Sequence, residues 1–501
     1  MRKIISILFG ISLILLPCLT QAQQNSIDTL DSSITLVEQD YASSTTLVDG
    51  TENSPQVENQ YQAILAKKTF KFNIIAILKG LLGMLAIMFI AWIFSVDRKN
   101  VDWGTVGKGL LIQVIIAVSV LLFGPVQEFF NFFGQCFVAV LDWTKAGSEF
   151  LFGSLLDMSK FGYIFALQIL PTIIFFSALM SLLFYLGIVQ KIVWVMAWLM
   201  SKAMRLSGAE SLATAGNIFL GQTESPLMIK PYIASMTKSE VMLVMTAGMS
   251  TMAGGVLAAY IGMLGGGDKI MEMEFARHLL SASVMAAPGA VVISKILVPQ
   301  TETINKKVEV TKEKMGKNAL DAISNGTFEG LRLAANVAAM LLVFYALIAG
   351  FNMIIGKIGE WTTINTWVAE ATDGRYNGLS IQFLLGYLFS PLIWLTGVPT
   401  ADVPLVGQLL GQKLILTEFV GYGDLSEMLK TGVFSETKSI IMATYVLCGF
   451  ANFASVGIQI GGIGSLAPNQ KPLLAQYGMR ALLGGTLTAL ASATIVGMVL
   501  G

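Results

Sequence analysis

Asn217-Ile-Phe-Leu-Gly-Gln-Thr-Glu-Ser-Pro226 sets a carboxylate, Glu224, and the polar residues Gln222 and Thr223 between apolar neighbours, with Gly221 and Pro226 as helix breakers. A charged side chain at membrane depth costs at least about 2.5 kcal/mol on insertion scales, so it faces a cavity and marks a solute or ion pathway. A second stretch, Gly411-Gln-Lys-Leu-Ile-Leu-Thr-Glu-Phe-Val-Gly-Tyr422, repeats the Gly-Gln and Thr-Glu pairs among apolar residues. Two carboxylates, Glu224 and Glu418, in two interrupted apolar segments point to a transporter built from two related halves.

The rest of the chain supports a membrane setting. Of 501 residues, 54% are hydrophobic and 13% charged, against about 25% charged in a soluble domain. Zero net charge gives no reason to expect nucleic acid as a partner. Cys18, Cys136 and Cys448 have no metal or redox spacing. Met1-Arg-Lys, an apolar run from Ile4 to about residue 19 and Thr20-Gln-Ala22 resemble a cleavable secretory signal over residues 1–22. Residues 23–70 read as an exported acidic tail, since seven Asp and Glu occur before the first Lys of the tail, Lys67.

Apolar stretches at 73–95, 109–133, 162–187, 241–264, 279–298, 333–356, 438–461 and 475–500 predict eight membrane spans. With the N-terminus outside, odd-numbered connections face the cytoplasm and should collect Lys and Arg. Arg98, Lys99 and Lys108 fall in the first, and Lys191, Lys202, Arg205, Lys230 and Lys238 in the third. Lys295, Lys306, Lys307, Lys312, Lys314 and Lys317 fall in or beside the fifth. The expectation is a multi-pass protein of the cell (inner) membrane with both termini outside the cytoplasm.

Residues 207–236 and 403–430 are broken by Gly, Pro and polar groups, and each predicts a re-entrant helical hairpin. Each precedes a broken span rich in glycine and polar groups: Gly248–Val256 after the first, Cys448–Gly462 after the second. The two units follow loops on opposite faces, which predicts an inverted repeat. The fold expected is therefore all-α: eight transmembrane helices and two opposed hairpins. Its parts are scaffold spans (71–206), a first transport unit (207–300), a loop with a scaffold span (301–402) and a second transport unit (403–501).

Several side chains in these units carry candidate chemistry. Asn452 and Ser455, spaced i and i+3, fall on one helical face and can bind one ligand together, or serve as glue between helices. Glu418 needs a polar partner, which a solute's hydroxyls would supply. Gln222, Thr223 and Glu224 offer an amide, a hydroxyl and a carboxylate at a turn, or simply cap it. Thr251, in a span loosened by Gly248, Gly254 and Gly255, can give its hydroxyl to a cation or bond its own preceding carbonyl. Phe450 is packing or a stacking platform, and His278 sits singly beside Arg277.

The motifs at 217–226, 416–420 (Leu-Thr-Glu-Phe-Val) and 448–458 (Cys-Gly-Phe-Ala-Asn-Phe-Ala-Ser-Val-Gly-Ile) resemble signatures of the concentrative nucleoside transporters. Phe94–Trp103, Leu170–Leu179 and Ala335–Met340 add matches, and the resemblance runs over about residues 75–500. It implies sodium-coupled nucleoside uptake by a homotrimer, with sodium as the co-transported ion. It implies base recognition by Gln222, Thr223 and Glu224, with Val256 and Phe450 lining the site. Ribose would be held by Glu418, Asn452 and Ser455. Sodium would sit among Asn217, Leu220, Thr251 and Met252, the leucine and methionine giving backbone carbonyls. Ser225 and Thr251 depart from the usual alanine and serine, and Thr251 keeps the hydroxyl. Proton coupling is the alternative, because buried carboxylates titrate. ATP is not expected to drive the process, since Gly350 to Lys357 fails the phosphate-loop pattern. An enzyme using Glu224 and Glu418 as acid and base is the reading from another class, and a passive channel a third.

Overall fold

The computed structural model describes residues 73–161, 164–305 and 316–501. The expected signal and acidic tail, and Lys306, Lys307, Lys312 and Lys314, lie outside the described residues. Among those described, the chain is helical with no strand. The helices longer than eight residues are α1 (Ile74–Ile93), α2 (Trp103–Leu122), α3 (Gly124–Phe152), α4 (Leu170–Tyr185), α5 (Ile188–Met204) and α6 (Gly208–Gly216). There follow α7 (Lys238–Ser250), α8 (Gly254–Gly265), α9 (Lys269–Leu297), α10 (Ala319–Trp361), α11 (Ile381–Leu395) and α12 (Val403–Ile415). The chain closes with α13 (Glu418–Thr431), α14 (Thr437–Leu447), α15 (Phe453–Leu466) and α16 (Lys471–Leu500).

Local chemistry sets the boundaries of these helices. Ser207 and Thr237 open α6 and α7 with capping boxes closed by Glu210 and Glu240. Pro125 opens α3, so the stretch expected as one span at 109–133 divides at Phe123. The spans at 241–264 and 438–461, expected to be broken, divide into α7 and α8 and into α14 and α15. Neither α5 nor α11 was expected as a helix. Lys191 and Lys202 lie within α5, and Arg205 caps it, so the third connection is not a simple loop. Taking the α7–α8 pair as one, and α4 with the short helix before it as Phe165–Tyr185, seven helices among the described residues are long and apolar enough to cross a membrane, with α11, α14 and α15 as shorter apolar helices.

Lys295 is a correction of another kind. It lies inside α9, buried, with Nζ 2.6 Å from Glu210 on α6 and 3.1 Å from Ser239 on α7. A charge count cannot tell a loop lysine from one neutralised inside the protein. Here it ties three helices at the base of the first unit.

The core is formed by α7, α8, α9 and α16, about nine-tenths of whose most apolar windows are buried. In α10 the figure is 6%. A helix that is apolar all round is buried in protein or faces lipid. α9 and α16 are of the first kind, while α10 packs along one side on α4 and leaves the rest of its apolar surface uncovered in this chain.

Candidate nucleoside and cation site

Each half contains a helix pair followed by an interrupted helix. In the first half, α6 leads through a turn at 217–224 into a short 3-10 and α-helical segment, Ser225–Ile233. Ser225 Oγ donates to the Ala213 carbonyl at 2.6 Å, closing this arm on α6. In the second half, α12 and α13 are joined over Leu416 and Thr417. The base of that pair is held by Asp402, which accepts from the amides of Ser435 and Glu436 at 2.9 and 3.1 Å. The interruptions of α7–α8 (residues 251–253) and α14–α15 (448–452) meet in the interior. Gly449, at φ +86°, lies so close to Ser250 that a Cβ there would stand 2.4 Å from the Ser250 backbone.

Groups from both halves come together around these breaks. Gln222, at the turn of the first half, donates Nε2 to Ser455 Oγ on α15 at 3.1 Å. Its Oε1 accepts from Gln459 Nε2 at 3.1 Å, and Gln459 also donates to the Met245 carbonyl. Thr223 packs against Gly462 of the same helix, and there a Cβ would meet its methyl at 2.7 Å. Glu224 folds back to accept the Gly221 amide at 3.0 Å, so the turn-capping alternative holds in this structure. Val256 is buried near the start of α8, and Phe450 is partly buried against the main apolar cluster.

Glu418 begins α13 and is buried. One of its oxygens accepts from Tyr260 of α8 at 3.1 Å, the other from Asn452 Nδ2 at 2.8 Å. A carboxylate has about four lone-pair directions, and its own backbone amide is a third donor, so one remains for another. The Tyr260 and Asn452 donors are neutral and fix its orientation. Tyr260 is itself held, with its ring stacked on Tyr422 at 4.1 Å between centroids.

One expectation fails in geometry. Asn452 is extended (φ −145°, ψ 166°) and precedes α15, so Asn452 and Ser455 do not share a helical face. They meet instead as cap and capped residue: Asn452 Oδ1 accepts the Ser455 amide at 2.8 Å, which frees Nδ2 for Glu418.

At the cation candidates, Thr251 ends α7 and its hydroxyl donates to the Ala247 carbonyl at 2.9 Å. The back-bonding alternative is thus realised, and it leaves the oxygen's lone pairs unused by that bond. Asn217 caps α6 and is buried, and among the described residues neither side-chain amide atom has a hydrogen-bond partner. Buried polar groups are almost always paired, so such an amide asks for a ligand. The Gly254 amide donates to the Phe219 carbonyl at 2.9 Å, pinning the 217–220 stretch beside the break after Thr251. Leu220 and Met252 are buried in the same region, and their carbonyls and the Asn217 amide oxygen are hard donors of the kind that sodium accepts.

The family model described as "Na+ dependent nucleoside transporter C-terminus" matches residues 278–497, and its N-terminus counterpart matches 82–155. A third, "Nucleoside recognition", matches 166–267. The chain belongs to the Na+-dependent nucleoside transporter family. Membership makes it a multi-pass membrane transporter and not an enzyme. The nucleoside permease NupC of Helicobacter pylori is 37% identical over 431 residues, covering 84% of this chain and 97% of that protein. The sodium/nucleoside cotransporter 2 of Rattus norvegicus is 39% identical over 428 residues, 82% of this chain and 61% of its own length. Among solved structures, CNTnw in an inward-facing substrate-bound state gives a TM-score of 0.75 at 36% identity, covering 84% and 97% of the two chains. A CNTnw variant in an outward-facing state gives 0.77 at 36% identity, covering 85% and 99%. Nearly equal scores mean that the likeness reports the fold and not a position in a transport cycle.

The sequence did not single out Gln459, Tyr260 or Lys413. Gln459 is four residues after Ser455, a spacing that places both on one face of α15 and that was readable. Tyr260 carried no signal, because its partner is 158 positions away.

Proposed function

We propose that this transporter imports nucleosides across the cell membrane by sodium symport, the base read by Gln222, Thr223 and Glu224 beside Val256 and Phe450, and the ribose by Glu418, Asn452 and Ser455. The cation is held by Asn217, Thr251 and the carbonyls of Leu220 and Met252. The observation that carries this reading is the buried Asn217 amide with neither atom paired, beside the break at Thr251. Sodium there would fix the 217–224 turn, and with it Gln222. Cation binding then raises nucleoside affinity, and by linkage the nucleoside raises cation affinity by the same factor. The membrane potential adds about 2.3 kcal/mol per charge per 100 mV to inward movement.

Residues 207–300 and 403–501 form the moving units in this reading, against a scaffold that includes α10. The exposed apolar length of α10 suits contact with lipid and with two further copies in a homotrimer. The termini face outside.

Uptake of radiolabelled uridine and adenosine into proteoliposomes tests the proposal. Accumulation is expected with an inward sodium gradient in the absence of a proton gradient. Equal accumulation on a proton gradient in sodium-free buffer would replace sodium with protons as the coupling ion. Equilibration without accumulation would make the protein a passive pore.

A further inference from the structure

Lys413 is fully buried near the end of α12, on the first arm of the second unit. Its ammonium donates to the carbonyls of Cys448 at 2.6 Å and Val446 at 3.1 Å. No carboxylate stands within 4 Å of it among the described residues, although the charge of Glu418 reaches it from farther off. A buried lysine without an ion pair is expensive, so a use for its charge is to be sought. Those two carbonyls close the C-terminal end of α14, where the helix dipole is negative and carbonyls lack intrahelical donors. An ammonium there does what a hard cation would do.

The same place in the first unit is where Asn217 stands. α6 and α12 are both first arms, and Asn217 and Lys413 both lie at or near the arm's end. α7 and α14 are both first segments of interrupted helices, and Thr251 and Cys448 are their C-caps. We propose that Lys413 is a resident cation, filling in the second unit the position that the transported cation occupies in the first. This deepens the symport reading above and rests on its assignment of the cation site.

The asymmetry has a specific consequence. The Lys413 contacts fix the carbonyls just before Gly449, and so set the course of Phe450, Ala451 and Asn452. Asn452 in turn caps α15 and aligns Glu418. The half of the site that holds ribose is therefore organised at all times, while the half that reads the base waits for sodium. Lys413 is thus a positioning residue for sugar recognition.

Two measurements decide it. In the wild-type protein, hydrogen–deuterium exchange is compared in sodium and in choline without nucleoside. Peptides over 217–224 and 251–256 should gain protection with sodium, while 446–455 should be equally protected in both. Sodium-dependent protection at 446–455 overturns the proposal, and this arm needs no variant. If 217–224 and 251–256 also fail to respond, the cation site itself is misplaced, and the variant arm decides the role of Lys413 separately.

In that arm, Lys413→Met should raise the uridine Kd at least tenfold at saturating sodium and shrink the preference for uridine over 3′-deoxyuridine to within twofold. Its half-saturating sodium for protection at 217–224 should stay as in wild type. Lys413→Arg, which keeps a cationic donor, should recover at least threefold of the lost affinity. Wild-type affinity and ribose discrimination in Lys413→Met, or an Arg variant no better than Met, would show that the ammonium does not position the sugar site.

Discussion

Gln222 and Ser455 are 233 residues apart in sequence and 3.1 Å apart in the structure, the amide of one donating to the hydroxyl of the other. The bond joins the turn of the first unit to the interrupted helix of the second. Each residue alone could be dismissed as a cap or as helix glue. Joined, they show that the two halves meet through the side chains assigned to base and ribose.

That contact should be measurable as coupling. Gln222→Ala and Ser455→Ala each remove one partner, and the double variant removes both. Nucleoside affinity should show an interaction energy of about 0.5–1.5 kcal/mol between them, the net worth of one hydrogen bond. Additive losses in a titration of purified protein would mean that the residues act separately.

Glu418→Gln should severely weaken uptake while the protein remains folded and inserted, because hydrogen bonds to a carboxylate are about twice as strong as neutral ones. Tyr260→Phe is the milder companion. It keeps the stack on Tyr422 and removes only the donor to Glu418, so nucleoside affinity should fall by about 1 kcal/mol, close to fivefold. Unchanged affinity in Tyr260→Phe would leave Asn452 alone as the residue orienting the carboxylate.

Thr251→Val keeps the side-chain shape and deletes the hydroxyl. The sodium needed for half-maximal uptake should rise, with a smaller loss at saturating sodium, and Thr251→Ser should remain near wild type. Asn217→Leu should have the larger effect, because the amide leaves with nothing to replace it. A nucleoside defect that added sodium cannot relieve would place these residues in the substrate site instead.

Stability offers a separate check at the base of the first unit. Lys295→Met strands Glu210, which is buried and also closes the Ser207 capping box. Breaking a buried pair by removing one partner costs about 3–5 kcal/mol. Thermal unfolding in detergent should therefore shift sharply downward. Adding Glu210→Gln should recover part of the shift, since no bare charge then remains.

Much of this arrangement was legible in the chain. Glu224 and Glu418 stood out because carboxylates are rare in apolar segments, and the glycines after each hairpin marked both interrupted helices. Counting Lys295 among the charges in or beside the fifth connection missed its buried partner, because a sequence shows charges but not what they meet. Lys413 was visible beside Glu418, yet its acceptors are backbone carbonyls, which every residue has and no motif reports. Asn452 reads as part of a helical face but is the cap one residue before the helix. Boundaries of this kind depend on where the chain is interrupted, and here tertiary packing sets that point.

The backbone of Gly449 resting on that of Ser250 also bears on motion. With no side chain between them, the two interruptions have nothing soft to absorb a displacement, and close-packed interiors transmit strain instead of damping it. A rigid displacement of one break therefore carries the other with it, without loosening either. Mechanically the interior behaves as a single stiff joint, so in the proposed symport reading the seats of the two cargoes travel together, with no relay of intervening side chains.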